Sequence, residues 1–164
     1  MNNLLITEFG YKKLINDIKK IKDIDIPNNV KDIQISASYG DLTENAEYEA
    51  ATERQGFLVS RLNELQDILG KLQIYDSSKS KLNKISFGLT FKIEDIDSEK
   101  EYVYTLVGGY ESNPKKNKIS YNSPFAKLFI GKEIGDEVKT NFNNQEIYYE
   151  IIDIWYDEKI LQED

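Results

Sequence analysis

Apolar residues in the first half of the chain recur at the spacing of a helix, and in the second half at the spacing of a strand. Leu14, Ile18 and Ile21 follow at intervals of four and three, and Val30, Ile33 and Ala37 resume that step after "DIDIPNN". Thr7 stands where an N-cap would, with a hydroxyl able to accept from a free amide of the first turn. Pro27 lacks a backbone donor and its ring crowds the turn before it, which predicts a kink or break near 25–28. Leu58, Leu62, Leu65, Leu69 and Leu72 then repeat at 4, 3, 4, 3, the seam of a coiled coil. Each stripe needs a partner, so the two helices are expected to fold back as an antiparallel hairpin bent at 38–45. Gly70 leaves open where the second helix ends.

After "YDSSKSKLNK", a polar, turn-rich linker, the period changes to two. "ISFGLTFKIED", "KEYVYTLVGG", "NKISYN", "DEVKTNF" and "EIYYEIIDIWY" alternate in part and are rich in β-branched and aromatic residues. One short helix interrupts them, with Ser123 as N-cap, Pro124 at its first position and Gly131 past its end. The chain is therefore read as α+β: an antiparallel helical hairpin over 1–76, a linker over 77–84 and a small α+β domain over 85–164.

Composition narrows the chemistry. The 164 residues are 40% hydrophobic and 30% charged, with a net charge of -8, so a broad basic surface for nucleic acid is not expected. Residues 1–78 hold 9 Lys/Arg and 13 Asp/Glu, and residues 79–164 hold 12 and 16, so each part carries -4 and any denser acidity is local. The absence of Cys and His excludes disulfides, Cys/His zinc sites, Cys nucleophiles and Ser-His-Asp triads. Only oxygen ligands remain, which suit Mg²⁺ or Ca²⁺. No apolar run reaches membrane-spanning length, and a cytoplasmic, monomeric protein with no membrane partner is expected.

The local acidity lies at the bend. "YGDLTENAEYEAATE", from Tyr39 to Glu53, gathers Asp41, Glu44, Glu47, Glu49 and Glu53. One reading is structural: Asp41 and Glu44 have the spacing of a capping box, and acids in a first helical turn suit its dipole. The other is chemical. Two carboxylates at the end of a narrow rod are half a divalent-cation site that can be carried into another macromolecule's cleft, where two-metal phosphoryl transfer has use for them.

The stretch Gly40–Tyr48, "GDLTENAEY", resembles the signature of the bacterial transcript cleavage factors of the Gre family, most nearly its GreA branch. A second block, "ISYNSPFAKLFIGKEIGDEV" at 119–138, resembles the family's C-terminal signature. Order and separation agree, and the resemblance covers nearly the whole chain. It implies a coiled-coil hairpin followed by an FKBP-like α+β domain that docks at the rim of the secondary channel of RNA polymerase. By matching positions, Asp41 and Glu44 would be the tip acids that help hold a second Mg²⁺, shared with the polymerase. The polymerase would then cleave the extruded 3′ end of a backtracked RNA. Ser123, Pro124 and Phe125 fall in the block that contacts the polymerase.

Two departures concern RNA. Ala37 and Ser38 stand where the family often has a basic residue before Gly-Asp, and Thr52 where a basic residue follows Ala-Ala, leaving Arg54 as a weak contact to the RNA. Such a reduced patch leans toward short backtracks. Three other functions share parts of this pattern: a channel-occupying inhibitor, disfavoured by the intact acidic pair; a stand-alone prolyl isomerase using the C-terminal domain; and a coiled-coil adaptor indifferent to its tip acids.

Overall fold

The structure, a computed structural model, describes residues 4–163. They form two compact units: Lys12–Lys71, and a second that joins the segment up to Tyr11 with the chain from Leu72 onward.

The hairpin's first arm is helical throughout, but not uniformly. α1 (Glu8–Lys20) runs into a π-helical turn (Ile21–Asp25), and α2 (Ile26–Ala37) follows without interruption. Of the kink or break expected near 25–28, no break occurs, since the helix continues through these residues. Pro27 sits in the first turn of α2, and the irregularity lies just upstream of it. Phase explains why. Leu14, Ile18 and Ile21 face inward, and the next inward positions are Ile26, Asn29, Ile33 and Ser36. The step from 21 to 26 is five residues, the repeat of a π turn. Pro27 offers no N–H to the ladder, so the wider turn falls where the ladder is already incomplete. The seam therefore passes through Asn29, which is buried, and not through the expected Val30, which is 38% exposed.

The second arm, α3 (Ala46–Leu69), is 24 residues, about 36 Å at 1.5 Å per residue. Leu58, Leu62, Leu65 and Leu69 face inward, and the series extends back through Gln55, Ala51 and Tyr48. Leu72, read as the seam's last member, is not helical: α3 ends at Leu69 and Leu72 opens a strand. Across the seam the buried Asn29 donates through Nδ2 to Ala51 O (2.9 Å) and Gln55 Oε1 (2.8 Å). Its Oδ1 is buried without a hydrogen-bond partner. A polar pin of this kind lowers stability and fixes which turn of one helix faces which turn of the other. Leu65 is 1% exposed. Leu65→Ala is expected to cost about 2–5 kcal/mol in urea unfolding, since the methyl groups lost leave a cavity; a loss near zero would mean that the site collapses freely.

In the other unit, β1 (Leu4–Ile6) and β2 (Leu72–Ile74) pair in parallel, Leu4 opposite Leu72 and Ile6 opposite Ile74. The strand entering the hairpin and the strand leaving it thus lie side by side. The main sheet contains β3 (Thr90–Asp95), β4 (Glu101–Val107), β5 (Lys118–Ser120), β6 (Glu137–Phe142) and β7 (Gln145–Trp155), in the order β5-β4-β3-β7-β6. All neighbours are antiparallel except β4 and β5. The five alternating stretches of sequence all became strands. α4 (Pro124–Phe129) closes one face, and its Ala126 and Phe129 join Ile85, Leu89, Phe91, Ile93, Leu106, Val138, Ile151 and Ile154 in one apolar core. A short α5 (Glu158–Gln162) ends the described chain. Among the described residues no helix is long and apolar enough to cross a membrane.

Candidate functional site

The bend between the arms is built by three devices. α2 ends as the amide of Ser38 donates to Gln34 O (3.2 Å) and Ile35 O (3.1 Å). Gly40 then takes φ +114, a conformation that a Cβ disfavours, and turns the chain. Asn45 closes the bend: its Oδ1 accepts the amide of Tyr48 at 3.0 Å, capping α3, and its Nδ2 donates to Ser36 O at 2.7 Å across the hairpin.

This geometry overturns the capping reading of the acids. α3 begins at Ala46, so Asp41 and Glu44 lie before it and neither caps it. Asp41 folds on itself instead, its Oδ1 accepting the amide (2.9 Å) and the hydroxyl (2.7 Å) of Thr43. Those two bonds hold the Asp41 carboxyl below its usual range, the hydroxyl contributing most. Neither bond uses Oδ2. Asp41 and Glu44 are both exposed, and with Tyr39, Asn45 and Glu47 they line one open concavity. Glu47, read from sequence as solvated helix surface, lines this concavity too, and its place in the first turn of α3 also suits the helix dipole. Arg54 is exposed on α3 and is not part of the concavity. Tyr39, Thr43 and Asn45 were missed by the reading of charge alone. The only signal for them was Asn immediately before a helical stretch, which the nearer Asp-x-x-Glu spacing obscured.

The set of donors fits a hard cation in part. Asp41 Oδ2 and the Glu44 carboxylate are free oxygen donors on one exposed turn, of the kind Mg²⁺ accepts from one or two side chains while substrate and water supply the rest. Among the described residues no group of three or more Asp or Glu is arranged to hold a metal. A cation at this tip would take its remaining ligands from outside these side chains, from water or from a second molecule.

Asn45 allows a direct check of how the bend is held. Asn45→Asp keeps an acceptor for the Tyr48 amide but sets an oxygen against Ser36 O. Amide exchange at Ser38 and Tyr39 is expected to quicken about fivefold, the worth of one net hydrogen bond, with Tyr48 unchanged; equal protection at all three would show that the cross-hairpin bond is dispensable.

The second set of residues read from sequence is split by the structure. Ser123 Oγ accepts the amide of Ala126 at 3.2 Å, so this side chain is committed to capping α4. Pro124 and Phe125 line an apolar groove with Tyr102, Leu128, Phe142, Ile147 and Tyr149. Phe125 is braced by the rings of Tyr104 and Phe129, with centroids at 5.4 and 4.9 Å. At the groove Leu128 is 39% and Phe142 66% exposed. Exposed apolar side chains clustered in this way form the kind of patch that proteins in general use for interaction.

One chain thus joins a helical hairpin that ends in exposed carboxylates to a small sheet domain that bears an apolar groove. Comparison with known proteins names the class: residues 4–74 match the family described as "Transcription elongation factor, N-terminal", and residues 79–156 match "Transcription elongation factor, GreA/GreB, C-term". The chain belongs to the GreA/GreB family of transcription elongation factors. It is 47% identical to transcription elongation factor GreA of Wolinella succinogenes over 153 residues, covering 93% of this chain and 94% of that one. It is 45% identical to the GreA of Helicobacter hepaticus over 157 residues, 96% of each chain. Among solved structures, the GreA factor homolog Gfh1 of Thermus thermophilus aligns over 93% of this chain and 99% of its own, at 21% identity and a TM-score of 0.43.

Proposed function

We propose that this chain binds RNA polymerase and stimulates the polymerase's own cleavage of the 3′ end of backtracked RNA. The observation that carries this reading is the state of the tip. Asn45 caps α3, so Asp41 and Glu44 are left to act on something outside the hairpin.

The roles divide as follows. Thr43 orients the Asp41 carboxylate and holds it below its usual pKa range, and neither Thr43 bond uses Oδ2. Glu44, three residues on, supplies a second oxygen donor from the same turn. Together they would hold Mg²⁺ jointly with the polymerase, and a bound cation there supplies charge stabilisation and a more acidic water. The chain contributes position and negative charge, and the polymerase contributes the remaining ligands and the bond that breaks. It is an accessory, not a stand-alone nuclease. The apolar groove around Phe125 is the surface offered to the polymerase, and Arg54 is the weak contact to the RNA.

The test is a stalled, backtracked elongation complex with and without the native chain. Release of short 3′ fragments only when the chain is present is the expected result. Binding to polymerase without any fragments would identify a channel-occupying inhibitor instead.

A further inference from the structure

The bend of the hairpin is poor in the groups that usually grip nucleic acid. From Asp32 to Glu53 the chain has no Lys or Arg, while Asp32, Asp41, Glu44, Glu47, Glu49 and Glu53 are acids. Much of a protein's affinity for nucleic acid comes from cationic side chains on phosphates, and this stretch supplies none. An RNA end brought to these carboxylates meets like charge, offset only by a cation between them. A neutral contact to a base adds attraction without adding charge, because every base has a π-face that an aromatic ring can cover.

Tyr39 is placed for such a contact. It lines the concavity together with Asp41, Glu44, Asn45 and Glu47, all of them in the hairpin unit. It is 68% exposed, and among the described residues no other ring packs on it and no hydrogen bond uses its hydroxyl. Tyr48, the other aromatic residue of the stretch, is half-buried. The backbone of Tyr39, by contrast, is tied down. Its amide donates to Ser36 O at 3.2 Å, and the same carbonyl accepts Asn45 Nδ2 at 2.7 Å from across the hairpin. Gly40 follows, and a Cβ there would meet nothing within 4 Å, so the space beside Tyr39 is open. A tyrosine ring on a fixed backbone loses little entropy when it binds, since only two χ angles are ordered.

We propose that Tyr39 is a nucleobase-stacking residue: its ring covers the face of an unpaired base at the 3′ end of the RNA, next to the cation that Asp41 and Glu44 help to hold. Recognition is then divided between two contacts. The acids act through charge on the cation and so on the RNA backbone. The ring acts on a base face without reading its edges, so purines, which stack more strongly, are held better than pyrimidines. Stacking thus stands in for the cationic side chains that the stretch lacks. This inference rests on the cleavage reading above.

Native, Tyr39→Ala and Tyr39→Phe chains are compared at saturating concentration on backtracked complexes whose unpaired 3′ nucleotides are purines or abasic. Amide exchange at Tyr48, the residue that Asn45 caps, verifies an intact bend. On purine ends Tyr39→Ala is expected to support cleavage about tenfold more slowly than the native chain, the loss of one stacked base. Tyr39→Phe is expected to recover most of that rate, because the ring and not the hydroxyl makes the contact. On abasic ends the gap between the native chain and Tyr39→Ala should shrink to less than about twofold, as a double-mutant cycle requires when ring and base act on each other. Native-like cleavage of purine ends with Tyr39→Ala, an equal gap on abasic ends, or a loss in Tyr39→Phe as large as in Tyr39→Ala overturns the inference alone. No cleavage with the native chain overturns the cleavage reading and this inference with it.

Discussion

A chain carrying Asp41→Asn and Glu44→Gln is expected to bind polymerase as tightly as the native one and to leave a backtracked transcript uncut. The fall in cleavage at saturating factor should be about 100-fold or more, the scale seen when an electrostatic group aimed at a reacting centre is removed. Both substitutions are nearly isosteric, and both side chains are exposed before α3 begins, so unfolding should change little. In the Asp41→Asn chain the side-chain carbonyl oxygen can still accept from Thr43, which preserves the turn and separates loss of charge from loss of shape. Fragment release measured against factor concentration distinguishes the outcomes. Undiminished release would remove the metal-ligand role of the pair while leaving polymerase as the partner.

The second large effect is expected at the groove. Leu128→Asp with Phe142→Asp should weaken polymerase binding about 1,000-fold or more, because desolvated anchor positions carry at least about 2 kcal/mol each and a buried, unpaired carboxylate adds its own penalty. Phe142 is 66% exposed and Leu128 39%, so the isolated chain should melt as before. These two positions test docking more cleanly than Ser123, whose hydroxyl caps α4 and whose loss would cost about 1 kcal/mol of local stability in its own right. Saturating concentrations of the variant should restore cleavage, since its tip is untouched. Native affinity would place the polymerase contact elsewhere on the chain.

Much of this architecture was legible in apolar spacing. The leucines of α3 and the five alternating stretches of the sheet were read correctly, because each buries one stripe or one face and the burial sets the period. The failures have physical causes. β1 and β2 are three residues each and gain stability only from each other, across 68 positions of chain (Leu4 to Leu72), so neither shows a local period. The π turn was hidden because Pro27 drew attention as a breaker, although the five-residue step from Ile21 to Ile26 was present in the sequence. At the tip the acids were legible as charge, but the bonds that hold the bend were not. Asp41 and Glu44 imitate a capping box, and only the backbone path shows that Asn45 took that task. The bond that the Thr7 hydroxyl donates to the Glu111 carboxylate lies beyond sequence reasoning, since the two residues are 104 positions apart.

The π turn works as a vernier between two rulers. One residue of an α-helix is worth about 100° of rotation, so a first arm lacking the extra residue would turn Asn29 and Ser36 away from α3 by roughly that angle. The two arms therefore cannot drift independently in length. A deletion upstream of Ile21 must be answered by a second change within Ile21–Asp25, or the polar pin at Asn29 meets the wrong turn of α3. The five residues of that turn, exposed or half-exposed and ordinary in composition, set the rotational phase at which the acids arrive.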